Sequence, residues 1–247
     1  MTMSRRRTLG LLAAATTAPA LLGARAALAE DAPAPAAKVS GELKPGAHAV
    51  VPLPFDPKKL KGISEKMIVS HWENNYGGAV KNLNKVEVEA ERINKDTPAF
   101  VVSGLKEREL TFTNSSILHE LYFGNLGGDG KASGPLPAAL AEAYGGVARW
   151  EEQFRATGGS LGGGSGWAVL DLNLHTGALR TYWSGGHTQS VAFGAPLLVM
   201  DMYEHSYQMD FGAAAAKYID VFFQNVNWDE TNRRFERARK AAAALHG

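Results

Sequence analysis

The stretch MDMYEHSYQMD at residues 200–210 places chemically active side chains directly after an apolar run, PLLVM. Asp201, Glu204 and His205 follow what reads as the end of a buried strand. Carboxylates and imidazoles are costly to bury unless something satisfies them. These side chains therefore either pair with one another or hold a ligand.

Two further histidines have the right chemistry to join them. His71 and His119 each lie in a segment with helical apolar spacing, and the chain has no cysteine. With Asp201 and His205 they would form a set of three imidazoles and one carboxylate, which suits iron, manganese or zinc. Taken singly, however, a histidine on a helix or an Asp-x-x-x-His spacing is equally typical of a core or surface position, so both interpretations stay open.

The elements that would position these donors begin with a helical pair at residues 49–128. Ser64 and Glu65 predict a helix start, and Ile68 and Trp72 place His71 inside that helix. Gly77-Gly78 is expected to weaken its later half. A second helix is predicted from about residue 114 to residue 126 and carries His119, while residues 86–110 are ambiguous.

The remaining residues, 129–247, predict an α/β domain that begins in the turn-rich segment GGDGKASGP at 127–135. Two short helices come first (PAALAEAY and VARWEEQFRATG). Three strand-like runs follow (GWAVLDLN, ALRTYWS and PLLVMD), and then two more helices. The fold class is therefore α+β, with a three-stranded antiparallel sheet flanked by helices. The glycine-rich GGSLGGGSG lacks the Lys-Ser/Thr ending of a phosphate-binding loop and predicts a connection, not a nucleotide site.

The first residues predict a targeting signal. Three arginines at 5–7 precede an apolar stretch that ends in Ala-Leu-Ala at 27–29, which is typical of a cleaved secretory signal at residues 1–29. The paired arginines favour the twin-arginine route, hence an exported, periplasmic or secreted protein. The apolar stretch is too short to predict a stable membrane span. Residues 30–48, rich in Ala and Pro, predict a flexible tether.

Charge excludes one class of partner. Residues 1–29 contain four arginines and no acidic residue, which leaves 22 basic against 25 acidic residues, a formal charge of −3. A chain with that balance has no electrostatic footprint for nucleic acid.

Several of these stretches, in this order and spacing, resemble the iron/manganese superoxide dismutase family. The resemblance covers about residues 50–240. The Asp-x-aromatic-Glu-His pattern followed by VNW is its most specific part. The stretches are HWENNYGGAVKNLN (71–84), ILHELYFGNLGG (117–128), GSGWAVL (164–170), PLLVMDMYEHSY (196–207) and YIDVFFQNVNWDE (218–230).

The resemblance implies a function and a set of roles. One iron or manganese ion per chain, with iron slightly favoured, would convert two superoxide anions to O2 and H2O2. The metal ligands that it implies are His71, His119, Asp201 and His205.

The resemblance also implies roles around the metal. His187 would hydrogen-bond the solvent beside the metal and help to deliver protons, and Trp167 and Tyr203 would pack around the site. Tyr203 stands where the family mostly has tryptophan. Glu204 would reach across a homodimer interface to the ligand histidine of the partner subunit. The simpler alternatives are a surface loop position for His187 and an ion pair within one chain for Glu204.

Three positions depart from the family pattern. Ala79 replaces the tyrosine that usually stands at the gateway to the metal, and Asn75 replaces a nearby histidine. The segment GAAAAK lacks the arginine that usually attracts the anionic substrate, unless Lys217 substitutes for it. We therefore expect slower substrate capture than is usual in the family.

Two other functions fit the same donors. A member of the fold that binds metal without turnover would explain Ala79 and the poly-alanine segment. A zinc hydrolase would use the same donor set, although the chain has no His-Glu-x-x-His motif.

Overall fold

The first helical run begins where the sequence predicts it. The computed structural model describes residues 44–247. The Ser64 hydroxyl accepts the Met67 N–H and caps α1 (Glu65–Ser70), which continues into a π-helical segment (His71–Tyr76) and then α2 (Gly77–Ala90). Gly77 keeps helical angles (φ −59°, ψ −36°). The run therefore passes through the two glycines, because Val80 and Leu83 beyond them are buried in the core.

The second helix is longer than the sequence predicts. α3 spans Ala99–Gly124, so the predicted start near residue 114 is wrong by about four turns. Its first half has no continuous buried face, and Phe100 is 78% exposed. Because helix detection from sequence depends on an apolar stripe, this half gives no signal, although it packs against α2.

The C-terminal region confirms the predicted α+β class. α4 (Pro135–Tyr144) and α5 (Val147–Gly159) precede a sheet of three antiparallel strands in the order β2-β1-β3. The strands are β1 (Trp167–Asn173), β2 (Leu179–Ser184) and β3 (Gly194–Asp201). After a 3-10 turn (Glu204–Ser206) come α6 (Gln208–Phe211), α7 (Ala215–Gln224) and α8 (Trp228–His246).

The helical pair and the sheet share one core. Buried side chains from both regions, such as Ile68, Tyr122 and Leu170, belong to a single apolar cluster. The turn-rich segment is docked as well, since the Gly128 N–H donates to the Asn225 carbonyl at 3.0 Å. A Cβ on Gly128 would collide with the Val226–Asn227 backbone, which explains the glycine. The division at 128/129 into two domains stays a prediction.

The predicted signal at 1–29 and most of the 30–48 tether lie outside the described residues. The end of the tether is anchored, because the Gly46 N–H donates to Glu87 and the His48 N–H donates to Asn84, both at 2.8 Å. Among residues 44–247, none of the helices combines the length and apolar character needed to cross a membrane.

Candidate metal centre

Four donor side chains from four different segments meet at one point. His71 begins the π-helical segment, His119 lies on α3, Asp201 ends β3, and His205 lies in the 3-10 turn. One donor atom from each of these residues lies within 4.8 Å of all the others. The structure therefore brings together all four predicted ligands.

The distances match a shared ion. Asp201 Oδ2 lies 3.2 Å from His71 Nε2, 3.6 Å from His119 Nε2 and 3.3 Å from His205 Nε2. Ligands that each lie about 2 Å from one metal are separated by about this much. The donors thus surround a volume of the size that one such ion needs.

Burial without hydrogen bonds supports the same conclusion. His71 and His119 are each 1% exposed and Asp201 is fully buried. His71 Nδ1 and Nε2 and His119 Nε2 have no hydrogen-bond partner among the described residues. Because unpartnered buried polar atoms are costly and rare, a bound cation at the nitrogens that face Asp201 would remove most of that cost.

The protonation state of His119 is fixed by its neighbour one turn earlier. His119 Nδ1 lies 2.7 Å from the Ser115 carbonyl oxygen, which can only accept, so Nδ1 carries the proton. The lone pair on Nε2 is then free to bind a metal. Desolvation by burial lowers the pKa of His119 to about 3, and burial also lowers the pKa of His71. Both rings are therefore neutral, as metal ligands must be.

Asp201 is held as a carboxylate. Burial by itself would raise its pKa, but contacts with His205 and His71 outweigh burial and hold the pKa below its ordinary range. Its other oxygen, Oδ1, accepts the Tyr203 N–H at 2.8 Å. The Ser206 hydroxyl donates to the Asp201 carbonyl at 2.9 Å. The Tyr203 bond orients the carboxylate so that Oδ2 faces the imidazoles, and the Ser206 bond holds the backbone of Asp201.

The three aromatic residues predicted around the metal lie beside this cluster. The Trp167 Nε1–H donates to His187 Nδ1 at 3.0 Å, which leaves the other ring nitrogen of a neutral His187 as a donor. Tyr203 stacks on His187 with ring centroids 4.8 Å apart and on His205 at 5.4 Å. Desolvation by burial lowers the pKa of His187. His187 is therefore a neutral, oriented group, not a free loop residue.

A cavity of about 240 Å³ leads to the cluster and is named the funnel below. His119, His187 and His205 contribute to its wall, with Asn75 and Ala79 on the helical side. None of its lining residues is lysine or arginine, and Lys217 on α7 is not among them. The expectation that Lys217 substitutes for the missing arginine has no support from this placement.

Glu204 lies exposed at the surface, next to the ligand candidate His205. Its side chain is exposed and makes no hydrogen bond or ion pair with residues 44–247, so the alternative of an ion pair within the chain is not observed. The neighbouring His205 side chain is 27% exposed. Both residues are thus accessible to a second molecule.

Sequence reasoning missed Ser115 as a supporting residue. It lies four residues before His119, so its carbonyl falls one helical turn below the histidine ring. That geometry follows from helix periodicity, and the signal was available once His119 had been placed in a helix.

Comparisons with known proteins agree with this geometry. Residues 132–234 match the family model described as iron/manganese superoxide dismutases, C-terminal domain. The chain is 48% identical over 192 residues to a superoxide dismutase (Fe) of Cupriavidus metallidurans, covering 77% of this chain and 98% of that protein. It is 35% identical over 210 residues to a superoxide dismutase (Fe) of Aquifex aeolicus, covering 81% of this chain and 97% of that one. It is 34% identical over 193 residues to a superoxide dismutase (Mn) of Haloferax volcanii, covering 76% of this chain and 94% of that protein.

The matched regions cover nearly the whole length of those relatives. The four donor residues lie on the elements that the resemblance implies. The chain belongs to the iron/manganese superoxide dismutase family.

Proposed function

We propose that the protein is a superoxide dismutase that converts two superoxide anions and two protons to O2 and H2O2. The observation that carries this proposal is the buried cluster of His71, His119, Asp201 and His205, whose unpartnered nitrogens face one carboxylate oxygen. Iron or manganese, bound one per chain, would supply the one-electron chemistry by accepting an electron from one superoxide and returning it to the next.

Backbone groups next to the ligands hold them in fixed orientations. The carbonyl of Ser115 holds His119 in one tautomer, and the Tyr203 N–H fixes one oxygen of Asp201. Groups that orient ligands in this way typically change metal affinity or activity by about 10–100-fold when they are removed.

His187 is the residue placed to handle protons. It lines the funnel, and Trp167 holds its ring so that an N–H remains available. A donor positioned near the reacting oxygen typically contributes about 10²–10⁴-fold to a proton-transfer step. Tyr203 limits the movement of His187 by stacking on it.

Capture of the substrate is expected to be slow for this family. A funnel without a basic side chain provides no local attraction for an anion, and steering of that kind is worth about 10–10³-fold in association rate. Both iron and manganese remain candidates, since relatives named for each metal match this chain.

We also propose that the active form is a homodimer. The exposed Glu204 of one protomer would accept a hydrogen bond from His205 of the other, because a ligating imidazole commonly donates its second N–H to a carboxylate. A two-fold axis would repeat this contact twice.

Export is a separate proposal. The arginines at 5–7 and the Ala-Leu-Ala site at 27–29 support passage through the twin-arginine route and cleavage after residue 29. Because that route carries folded proteins, the metal would be bound before export. N-terminal sequencing of protein from the periplasmic fraction checks this proposal.

The central experiment compares two histidine variants. The protein is reconstituted separately with iron and with manganese, and superoxide consumption and metal content are measured. We expect at least one metal form to be active and His119→Gln to lose at least about 100-fold of that activity. His175→Gln serves as the matched control, because His175 is exposed and lies outside the cluster.

The two alternative functions predict different results. One metal per chain without superoxide consumption above that of the free metal would identify a metal-binding protein without turnover. Zinc alone in protein purified from its native host would favour the hydrolase.

A further inference from the structure

A second buried carboxylate lies on the same face of the sheet as the metal centre. Asp171 on β1 is 4% exposed, and its Oδ1 has no hydrogen-bond partner among the described residues. Arg180 is opposite it on β2, but Arg180 is exposed and donates to the Leu179 carbonyl. No described basic group forms an ion pair with Asp171, and burial is the one cause that shifts its pKa.

Asp171 lines a small cavity of about 60 Å³, named the chamber below. Ser184, His187 and Gln189 also contribute polar residues to its wall. Since one water needs only about 10–15 Å³ of such space together with two to four polar partners, the chamber is large and polar enough for ordered water.

The chamber lies next to the candidate metal centre. Trp167, Val169 and Asp171 alternate along β1 and so share one face, and Trp167 is paired with Asp201 in the sheet. His187 is common to the walls of the chamber and the funnel. The exposed residues Gln189 and Ser190 also line the chamber, so this part of its wall meets solvent. The chamber thus has Asp171, His187 and the exposed Gln189–Ser190 pair in one wall.

We propose that the chamber is a second proton route to the metal centre, in which ordered water links the Asp171 carboxyl to the funnel alongside His187. This inference rests on the proposed function, which consumes two protons for each pair of superoxide anions. Asp171 would release its proton to chamber water while that water passes another proton into the funnel. The carboxylate would then regain a proton from solvent through the Gln189–Ser190 end, so no charge accumulates.

The environment of Asp171 suits this role. Desolvation by burial raises its pKa to about 7, so near neutral pH both the protonated and the ionised forms are populated. The other titratable groups that face it are Tyr182 and His187, while α3 and β3 contribute Leu118, Gly194 and Pro196 to the wall. Asp171 acts through water and is therefore a positioning residue rather than a catalytic one.

The test compares two aspartate variants of the metal-loaded protein. Asp171→Asn keeps the size of the side chain but cannot release a proton in this way. Asp96→Asn is the matched control, because the Asp96 side chain is 77% exposed at the tip of the helical pair. We measure kcat and KM from pH 5 to 9, the solvent deuterium isotope effect, and metal content.

We expect kcat of Asp171→Asn to fall by at least about threefold with little change in KM, because removing a proton carrier slows transfer and not binding. The solvent isotope effect on kcat should increase, and Asp96→Asn should match the unmodified protein. Infrared spectroscopy gives a readout independent of activity: a protonated carboxyl band that titrates near pH 7 should be present in the unmodified protein and absent from Asp171→Asn.

An unchanged kcat profile in fully metal-loaded Asp171→Asn, or no carboxyl band titrating near pH 7, overturns the proton route and leaves the proposed function intact. Inactive unmodified protein overturns the proposed function instead, while the infrared titration still reports on Asp171. If Asp171→Asn does not fold, Ser190→Val narrows the solvent end of the chamber. A kcat that stays unchanged in that variant contradicts the route, and a decrease with unchanged metal content supports it.

Discussion

Asp201 and Asp171 are both buried carboxylates on one face of a three-stranded sheet, yet their pKa values move in opposite directions. Asp201 is fully buried beside three imidazoles and accepts a backbone N–H, and its pKa lies below the ordinary range. Asp171 is almost as buried but has an unpartnered oxygen, and its pKa is raised to about 7. Burial therefore does not decide the charge of a carboxylate; the groups that the fold places around it do.

The difference follows from the number of elements that converge on each residue. Asp201 ends its strand, where the π-helical segment, α3 and the 3-10 turn all approach. Asp171 lies inside β1, where its chamber is walled by sheet residues, one apolar side chain of α3 and the loop at residues 187–191. Strand ends can collect donors from several elements, whereas strand centres are surrounded mainly by packing.

The largest effect should come from removing the charge of Asp201. Asp201→Asn replaces an anionic oxygen that faces three imidazoles, so we expect metal content to fall well below one per chain and activity to fall by at least about 100-fold. Elemental analysis and superoxide consumption measure the two effects. Asp129→Asn, an exposed aspartate in the turn-rich segment, is the control. Full metal content in Asp201→Asn would contradict the role of this residue as a ligand.

Asp171 should have a smaller effect that depends on pH. Its pKa is about 7 in the folded protein and about 3.9 when unfolded, so the unfolded chain loses this proton first as pH rises. The group therefore lowers the free energy of unfolding between about pH 4 and pH 7, by about 4 kcal/mol in total, and its cost stays constant above that range.

Asp171→Asn removes this titration. The difference in unfolding free energy between the variant and the unmodified protein should therefore move in favour of the variant as pH rises from about 4 to 8. Urea unfolding at several pH values measures this difference, and Asp96→Asn serves as the control. A difference that is independent of pH would show that folding does not raise the pKa of Asp171 and so would remove the contrast with Asp201.

The smallest effect tests how precisely Asp201 is held. The Ser206 hydroxyl is buried, and its single O–H lies within hydrogen-bond distance of the backbone carbonyls of Asp201 and Tyr203. Ser206→Ala should cost about 1 kcal/mol of stability and weaken metal binding by up to about 10-fold. Chelator competition and thermal unfolding measure these values. Ser103→Ala on the exposed half of α3 is the control, and equal metal affinity in the two variants would show that Ser206 does not position the ligand.

Much of this fold was predictable from local sequence patterns. The cap at Ser64, the three strand runs and the α+β order depend on residue types and spacing over a few positions. The first half of α3 was missed for the same reason, because its stability comes from packing against α2 and not from an apolar stripe of its own. The first helical run continues through the two glycines after Tyr76, beyond which Val80 and Leu83 are buried, and the weakening expected from these glycines stays a prediction.

By itself, the sequence determined which chemistry was possible: the absence of cysteine left imidazole and carboxylate as donors for a transition metal, and the motif order indicated the family. Only the tertiary structure decided that the side chains of residues 71, 119, 201 and 205 converge. It also decided that Asp171 lines a cavity and has no ionic partner. The physical reason is that ligation and pKa depend on distances of a few ångströms between segments up to 134 positions apart, and no local pattern encodes such distances.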